Sequence, residues 1–374
     1  MLTCVAACAF GLTGLVAREL RALGFAPKPE GDFVRFQADA AGLARACLWL
    51  RTADRVQVLV GEFPAGSYDA LFDGLRALPW RDYVPRNARL PVSARCVRAV
   101  LMSPADCQAV GKRALVEALG GGRLPETGPR FGVELSLRGE QCRVLLDACG
   151  AGLHKRGYRQ LTGPAPVKET LAAAILSFSG WRPELPLLDP MCGTGTFLIE
   201  AALMAGNRAP GLERGFDAES WPIAGAAPFQ AAREEARAAL RPGETLLQGT
   251  DIDGNALAMA RESARRAGVT GIRFQQADVS QAARSREPGM LVTNPPYGKR
   301  LLEERNLQPL YRKLGGLWAA LPGYSAHVFT AYPDFERYFG RRAASTQKLY
   351  NGPLLCRLYH YGADAPRPRT KAVK

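Results

Sequence analysis

The sequence predicts an α/β protein, with an open, largely parallel sheet in its C-terminal half and smaller α+β modules in its N-terminal half. In residues 187–204 an apolar strand pattern leads into a short glycine-containing loop, and a helix pattern follows the loop. Residues 246–253 and 272–278 each have the pattern of a strand that ends in acidic residues. Because ligands of open α/β sheets bind at the carboxyl ends of the strands, these polar ends predict a single site.

The loop at residues 189–195 has the composition of a ligand-binding turn. Gly193 and Gly195 let the backbone approach a ligand, and free N–H groups at the start of the next helix face any carboxylate or hydroxyl placed there. The glycine spacing is not that of dinucleotide-binding enzymes. Asp189 would discourage a phosphate and suits a positively charged amine or sulfonium. The candidate cofactor-binding residues in this segment are Asp189, Pro190, Met191, Cys192, Gly193 and Gly195.

Two later acids extend the predicted site. Asp251 lies at the end of the strand that follows the glycine loop, where an acid usually binds a ribose diol. Asp251 and its neighbour Ile252 are therefore candidate cofactor contacts. Asp278 ends the next strand and is placed to accept a hydrogen bond from an adenine amino group. Asp253 is interpreted as the N-cap of the following helix.

The segment Thr293-Asn294-Pro295-Pro296-Tyr297 is the most informative part of the chain. It ends an apolar strand, and its two prolines fix φ and remove two backbone donors. We therefore expect the local carbonyls to stay free to accept hydrogen bonds. Asn294 adds a side-chain carbonyl and Tyr297 a flat aromatic face, which together suit a planar base with an exocyclic amine. The candidate catalytic residues are Asn294, Pro295, Pro296 and Tyr297, and Asn294 is also a candidate cofactor contact.

Composition limits the class of protein. The 374 residues include 49 basic and 35 acidic ones, and the formal charge of +14 favours a phosphate-rich partner because neutralised phosphates release counterions. Nine cysteines without a Cys-x-x-Cys pair, and three separated histidines, argue against a zinc site and for free thiols in a reducing cytoplasm. No run is long and apolar enough to span a bilayer. We predict a cytoplasmic protein without a metal or a membrane partner.

Basic residues form two segments in the first 160 residues. Between residues 80 and 98 arginines interleave with aromatic residues, which can meet both phosphates and unstacked bases, although a solvated loop explains any single arginine equally well. Residues 154–159 hold four potential cations that are costly to bury, so we expect them to face solvent or phosphate. The candidate RNA-binding residues are Arg81, Arg86, Arg89, Lys155, Arg156, Arg159 and Lys299.

The order of the motifs DPMCGTGT, GTDID, QAD and NPPYGKRL resembles class I S-adenosylmethionine-dependent methyltransferases that methylate amines. The stretches LHKRGYR (153–159) and APVKETLAAA (165–174) resemble THUMP-domain RNA methyltransferases, and among them the bacterial 23S rRNA guanine-N2 methyltransferases. In some bacteria these form the first half of a longer, two-activity protein, whose second half we expect to be absent here. The resemblance implies a Rossmann-like domain with a seven-stranded sheet and a terminal antiparallel hairpin.

The same resemblance implies a domain order and a cofactor. We expect a ferredoxin-like segment at residues 1–44, a THUMP RNA-binding domain at 45–156, the methyltransferase domain at 157–364 and a basic tail at 365–374. S-adenosylmethionine is the implied cofactor, and Thr170, in a helix over residues 167–178, is expected to hold its methionyl carboxylate. In the insertion at residues 207–244, which is either a lid or a stabilising flap, we expect Phe216 and Trp221 to pack against the catalytic domain.

The implied reaction is methyl transfer to the exocyclic N2 amine of a guanine in 23S rRNA or in an assembling large ribosomal subunit. Asn294 Oδ1 and the Pro295 carbonyl would accept the two N–H bonds, and Tyr297 would stack on the flipped base. Three alternatives stay open: a guanine-N2 methyltransferase of tRNA, a DNA adenine methyltransferase, and a catalytically idle RNA-binding or assembly factor. A nicotinamide oxidoreductase is disfavoured by the glycine spacing.

Overall fold

The computed structural model describes residues 1–159, 167–243, 245–282, 287–297 and 301–363, without the side chains of residues 301–306. The chain divides into two compact units, one formed by residues 1–8, 12–153 and 209–238 and the other by residues 9–11, 154–208 and 239 onwards. The strands are β1 (Leu2–Ala7), β2 (Lys28–Glu30), β3 (Phe33–Ala38), β4 (Arg55–Pro64), β5 (Val92–Ala99), β6 (Gly132–Gly139), β7 (Gln141–Asp147), β8 (Leu187–Asp189), β9 (Leu247–Asp251), β10 (Ile272–Gln276), β11 (Met290–Thr293), β12 (Ser325–Thr330), β13 (Ser345–Asn351) and β14 (Leu354–Tyr361). The helices are α1 (Thr13–Ala22), α2 (Ala40–Trp49), α3 (Tyr68–Ala77), α4 (Trp80–Tyr83), α5 (Pro104–Ala118), α6 (Glu169–Phe178), α7 (Thr196–Ala205), α8 (Ala226–Ala238), α9 (Gly254–Arg266), α10 (Leu301–Ala319) and α11 (Phe335–Phe339).

The first unit is built on a seven-stranded sheet in the order β2-β3-β1-β4-β7-β6-β5. Neighbouring strands are antiparallel except β5 and β6, which run parallel. Side chains cap several of its helices: Asp39 accepts a hydrogen bond from the Gly42 amide at the start of α2, and Ser67 from the Ala70 amide at the start of α3. These caps explain why both helices begin where the sequence places a short polar residue.

Residues 209–238 of the insertion belong to this first unit, and the expectation that Phe216 and Trp221 pack against the catalytic domain is wrong. The Trp221 ring stacks on Phe131 with centroids 4.5 Å apart, and its Nε1 donates to the Arg130 carbonyl at 2.8 Å. The Gly211 amide donates to the Leu48 carbonyl at 2.9 Å. Burying the indole satisfies its N–H and removes a large apolar surface from water, and Phe131 supplies the matching face.

The second unit is a doubly wound sheet in the order β10-β9-β8-β11-β12-β14-β13. The strands from β10 to β12 run parallel, and β14 lies antiparallel to both β12 and β13. The chain winds outwards from β8 to β10 and then returns to place β11 on the other side of β8. Neighbouring loops diverge at such a switch point and leave a crevice at the carboxyl ends of the strands. The α/β fold with a terminal antiparallel hairpin is confirmed.

Candidate active site

A cavity of about 910 Å³ opens at the carboxyl ends of the central strands of the second unit. It contains residues from the turn after β8, the end of β9, the segment after β10 and the turn after β11. The predicted site residues that line it are Asp189, Pro190, Met191, Cys192, Gly193, Asp251, Ile252, Asp278, Asn294, Pro295, Pro296 and Tyr297. The structure therefore brings together the two turns that lie a hundred residues apart in the sequence.

Asp189 lies at the floor of the cavity and is buried, with only 1% of its surface exposed. Its Oδ1 accepts a hydrogen bond from Thr293 Oγ1 at 2.7 Å and from the Met191 amide at 3.3 Å. Burial raises the pKa of Asp189 to about 7, against the lowering effect of these two donors. Thr293 was not among the predicted site residues, although its position directly before Asn294 places it at the switch point between β8 and β11.

The glycine loop is held by the end of β9. The Gly193 amide donates to Asp251 Oδ2 at 2.8 Å, and Thr250 Oγ1 donates to the Pro190 carbonyl at 3.1 Å. The other oxygen of Asp251 accepts from the Asp253 amide at 3.0 Å. Each carboxylate oxygen has a further lone pair, so Asp251 both fixes the loop and keeps acceptor capacity towards the cavity.

Two glycines under the loop are required by their surroundings. Gly195 has a φ of +77° at the start of α7, and a Cβ there would lie 3.1 Å from the Phe274 ring. Gly249, in β9, leaves no room for a side chain, because a Cβ would lie 2.5 Å from Leu198 Cδ1 and 2.9 Å from Cys192 Sγ. Gly195 shapes the loop and does not line the cavity. Gly249 was missed, and no local signal in the sequence distinguishes it from other strand glycines.

Asp278 lines the cavity and is also a cap residue. It caps the short helical turn that follows, and its side chain bonds the Ser280 hydroxyl at 2.6 Å, the Ser280 amide at 3.0 Å and Lys313 Nζ at 2.9 Å. The bonds from Ser280, followed by that from Lys313, lower the pKa of Asp278 to about 2. The carboxylate is therefore ionised at neutral pH and lines the cavity. Asp253 caps α9 as expected, accepting from the Asn255 amide at 2.9 Å.

The turn after β11 is held by hydrogen bonds on both sides of its prolines. The Pro296 carbonyl accepts from Tyr311 Oη at 2.8 Å, so the expectation that both proline carbonyls stay free is wrong for Pro296. Tyr297 Oη accepts from Asn351 Nδ2 at 3.0 Å, which anchors the ring to the β13–β14 hairpin. Tyr311 and Asn351 lie too far away in sequence for local patterns to reveal these contacts.

Asn294 has an unmatched acceptor. Its Oδ1 is buried, and it has no hydrogen-bond partner among the described residues. A buried carbonyl oxygen without a partner costs free energy, so such an atom in a cavity wall indicates a ligand that donates to it. The Pro295 carbonyl likewise receives no hydrogen bond from any residue that the structure describes.

Family comparisons agree with this arrangement. Residues 156–360 match the model of the RMKL-like methyltransferase domain, residues 3–57 that of the RlmL ferredoxin-like domain and residues 65–147 that of the THUMP domain. The chain belongs to the RMKL-like methyltransferase family. The prediction of a THUMP-domain class I methyltransferase that depends on S-adenosylmethionine is confirmed.

Individual relatives of this RMKL-like methyltransferase carry several names. It is 39% identical over 380 residues to "Putative RNA methyltransferase YpsC" of Bacillus subtilis (strain 168), covering all of this chain and 98% of that protein. It is 37% identical over 390 residues to "Ribosomal RNA large subunit methyltransferase K/L" of Syntrophotalea carbinolica, covering 96% of this chain and 54% of the relative. The chain thus spans about half the length of the K/L relative.

Solved structures resemble this methyltransferase over nearly its whole length. The structure of SMU.472 complexed with SAH has a TM-score of 0.91 and 38% identity, covering 98% of this chain and 99% of the other. A "predicted N6-adenine-specific DNA methylase" from Listeria monocytogenes has a TM-score of 0.91 and 40% identity, covering 98% and 96%. The fold of the methyltransferase is therefore shared with its relatives, whereas their names differ in substrate.

Two of the predicted RNA-binding cations of the methyltransferase are internal. The Arg156 side chain is 2% exposed and forms an ion pair with the fully buried Glu200, at 3.4 Å between Nε and Oε1. The Arg159 side chain is 10% exposed, pairs with Glu169 at 3.4 Å and bonds Thr196 Oγ1. The expectation that both face solvent or phosphate is wrong, because each arginine has a carboxylate partner that compensates its burial.

The other predicted cations differ in position. Arg81, Arg86, Arg89 and Lys155 are exposed, and Arg89 Nε donates to the Gly128 carbonyl at 3.1 Å. Lys299 lies outside the described residues. The predicted cofactor contact Thr170 is buried in α6 and does not line the cavity, where the described part of that segment contributes Val167 instead.

The described ranges contain neither a metal-binding cluster nor a membrane-spanning helix. No group of three or more His, Cys, Asp or Glu side chains there has an arrangement that could hold a metal ion. No helix in the same ranges has the length and apolar character needed to cross a membrane.

Proposed function

We propose that this methyltransferase transfers a methyl group from S-adenosylmethionine to the exocyclic N2 amine of a guanine in 23S rRNA. The buried, unmatched Oδ1 of Asn294 in the wall of the cavity is the observation that carries the proposal. The K/L relative named for large-subunit ribosomal RNA supports the substrate class. The choice of guanine rests on the resemblance of the whole set of motifs to the bacterial 23S rRNA guanine-N2 methyltransferases.

The residues of the cavity fit the cofactor. Asp189 is buried without a cationic side chain paired to it in the described chain, and its environment suits a bound positive charge. Asp189 and the loop after it would hold the charged amino-acid end, Asp251 the ribose diol and Asp278 the adenine amine. When bound, S-adenosylmethionine supplies an electrophilic methyl group.

Asn294 and Pro295 would orient the acceptor amine. The lone pair of an exocyclic amine is delocalised into its ring, which makes the nitrogen a weak nucleophile. Two carbonyl oxygens that accept its two N–H bonds would favour a pyramidal nitrogen and direct the lone pair away from the ring. The Asn294 and Pro295 oxygens provide such acceptors, and their positions are set before the base arrives. Alkylation makes the nitrogen acidic, so a strong general base is not required.

Tyr297 would hold the ring of the base. The phenol is fixed through its hydroxyl by Asn351, and the side chain is half-buried at the cavity wall. An aromatic ring held at one edge keeps its face available, and base stacking on such a ring is worth about 1–3 kcal/mol. The target base has to leave its own stack to reach this face.

Replacement of Asn294 tests the acceptor role. Asn294→Ala should lower kcat by roughly 30- to 1,000-fold, the equivalent of about 2–4 kcal/mol for one preorganised polar contact. Asn294→Asp keeps an acceptor oxygen at this position and should retain more activity than the alanine variant. Both should bind S-adenosylmethionine in calorimetry. Normal turnover of the alanine variant with intact cofactor binding would refute the role.

The modified nucleotide is identified by mass mapping of 23S rRNA and tRNA from a strain that lacks this protein. We expect one N2-methylguanosine to disappear from 23S rRNA and to return when the gene is restored. Loss from tRNA, or loss of an N6-methyladenine, would contradict the proposed substrate while leaving the acceptor chemistry intact. An unchanged nucleotide content would contradict the enzymatic role.

A further inference from the structure

One face of the β13–β14 hairpin exposes apolar and basic side chains in two cross-strand pairs. Tyr350 lies opposite Leu355 and Lys348 opposite Arg357. Tyr350 is 39% and Leu355 44% exposed, and Phe10 is 66% exposed beside them. The Phe10 ring meets Tyr350 edge-on, with centroids 6.0 Å apart and an interplanar angle of 88°. We call these five residues the hairpin face.

The two cations of the hairpin face lack a carboxylate partner in the part of the chain that the structure describes, although Arg357 bonds the Tyr359 side chain. Like charges directly opposite each other on neighbouring strands destabilise a sheet. Neither Lys348 nor Arg357 forms an ion pair with a carboxylate among the described residues. A lysine on the edge strand β13 can serve to block edge-to-edge aggregation. That explanation does not apply to Arg357, because β14 is an inner strand paired on both sides.

The hairpin that carries this face contacts the active site through Asn351, whose side chain points to the opposite face of β13 from Tyr350. Asn351 follows Tyr350 in β13, and its Nδ2 donates to Tyr297 Oη at 3.0 Å. Tyr297 lines the cavity. We therefore expect a strand of nucleic acid that delivers one base to this cavity to place its neighbouring nucleotides near the hairpin.

We propose that the hairpin face binds the single-stranded RNA segment next to the target nucleotide. Bases stack on Phe10 and Tyr350, and Lys348 and Arg357 meet the phosphates of the same segment. Alternating aromatic and cationic side chains are the usual composition of surfaces that bind single strands with little sequence preference. This proposal rests on the proposed RNA methyltransferase function and adds the path of the substrate outside the cavity.

Binding of fluorescein-labelled oligoadenylate r(A)12 to the full chain, without methyl donor, tests the proposal by fluorescence anisotropy. Phe10→Ala and Tyr350→Ala should each weaken binding by roughly fivefold or more, as expected from loss of base stacking. Phe10→Trp should restore binding because it keeps an aromatic face. Leu246→Ala removes a comparably exposed apolar side chain from the same unit and should bind like the wild type.

The charged pair is tested by the salt dependence of the same binding. Lys348→Gln/Arg357→Gln should reduce the slope of log K against log salt by about 1.4, at ~0.7 for each lost phosphate contact with a single strand. Arg182→Gln/Arg273→Gln removes two exposed arginines from other parts of the sheet, next to the amino end of β8 and on β10, and should leave the slope unchanged.

Three results would overturn the proposal. One is wild-type affinity in the alanine variants, and another is an equal loss in the control variants. The third is wild-type self-association in sedimentation that the hairpin variants abolish, which would show a second copy as the occupant. A wrong target base would change the mass mapping of the RNA but not these binding results, so the two failures are distinguishable.

Discussion

Replacing Asp189 by asparagine should make the stability of the second unit less sensitive to pH. Burial raises the pKa of Asp189 from an ordinary value of about 3.8 to about 7. An acid with a raised folded-state pKa contributes stability that is fully present below the unfolded pKa and is lost as pH rises through the folded pKa. Between pH 5 and pH 7 the free energy of unfolding of the wild type should fall by about 2.3 kcal/mol through this group, at up to about 1.36 kcal/mol per pH unit. The asparagine side chain does not ionise, so the Asp189→Asn variant should not show this loss.

Hydrogen exchange of the peptides that contain β8 and β11 measures this effect in the unit concerned, because local opening free energies are resolved by segment. After correction for intrinsic exchange rates, the local opening free energy of the wild type should be close to that of the variant at pH 5. At pH 7 it should be lower than that of the variant. Thr293→Val removes the hydroxyl donor to Asp189. Without this donor the pKa of Asp189 should rise further, so the loss of stability should continue to higher pH. Thr293→Ser keeps the hydroxyl and should show the pH dependence of the wild type. Parallel pH dependences in the wild type and Asp189→Asn would refute the reasoning.

Other predictions concern buried charge and packing. Arg156→Met should lower the free energy of unfolding by about 3–5 kcal/mol because it removes an ion pair of the buried Glu200, and adding Glu200→Leu should recover part of this loss. Urea denaturation measures both changes. Burial lowers the pKa of His327 to about 3, so the free energy of unfolding should fall by about 1.6 kcal/mol through this group as pH falls from 6.5 to 5.0, because the unfolded histidine binds a proton. An acid titration of stability should show a smaller fall in His327→Asn. Gly249→Ala should weaken S-adenosylmethionine binding in calorimetry by roughly tenfold, because the added methyl group displaces the loop. Values equal to the wild type would contradict each of these.

The sequence predicted those site residues whose position follows from their place at the end of a strand. Asp189 and Asp251 each end a parallel strand, and Asn294 directly follows another strand of the same sheet. The carboxyl ends of such strands meet at one edge. Their chemistry follows from the residue types alone. The order of these motifs therefore predicted the fold class and most of the cavity lining without any knowledge of the contacts between distant segments, whereas the predicted contacts Thr170 and Gly195 do not line the cavity.

Predictions failed where the position of a side chain depends on a partner that is distant in the sequence. Arg156 lies in a segment rich in basic residues, which predicted that it faces solvent. Inside the protein, however, it pairs with Glu200, which lies 44 residues away in the sequence. Trp221 follows the glycine loop in sequence but stacks on Phe131, which lies far earlier in the chain. In both cases the energy of burial depends on a tertiary partner that the local pattern does not contain.

The hydrogen bonds that anchor the turn after β11 explain how Asn294 Oδ1 can stay without a hydrogen-bond partner among the described residues. Thr293 bonds Asp189 on one side, and on the other the Pro296 carbonyl bonds Tyr311 and Tyr297 bonds Asn351. These contacts hold the backbone around Asn294 in place, so its Oδ1 cannot easily turn to a protein donor. A rigid turn that keeps an oriented acceptor is the arrangement that positions a weak nucleophile with little reorganisation. Loosening an anchor, as in Asn351→Ala, should therefore lower kcat more than it weakens cofactor binding, and the reverse pattern would show that the anchor serves the cofactor instead.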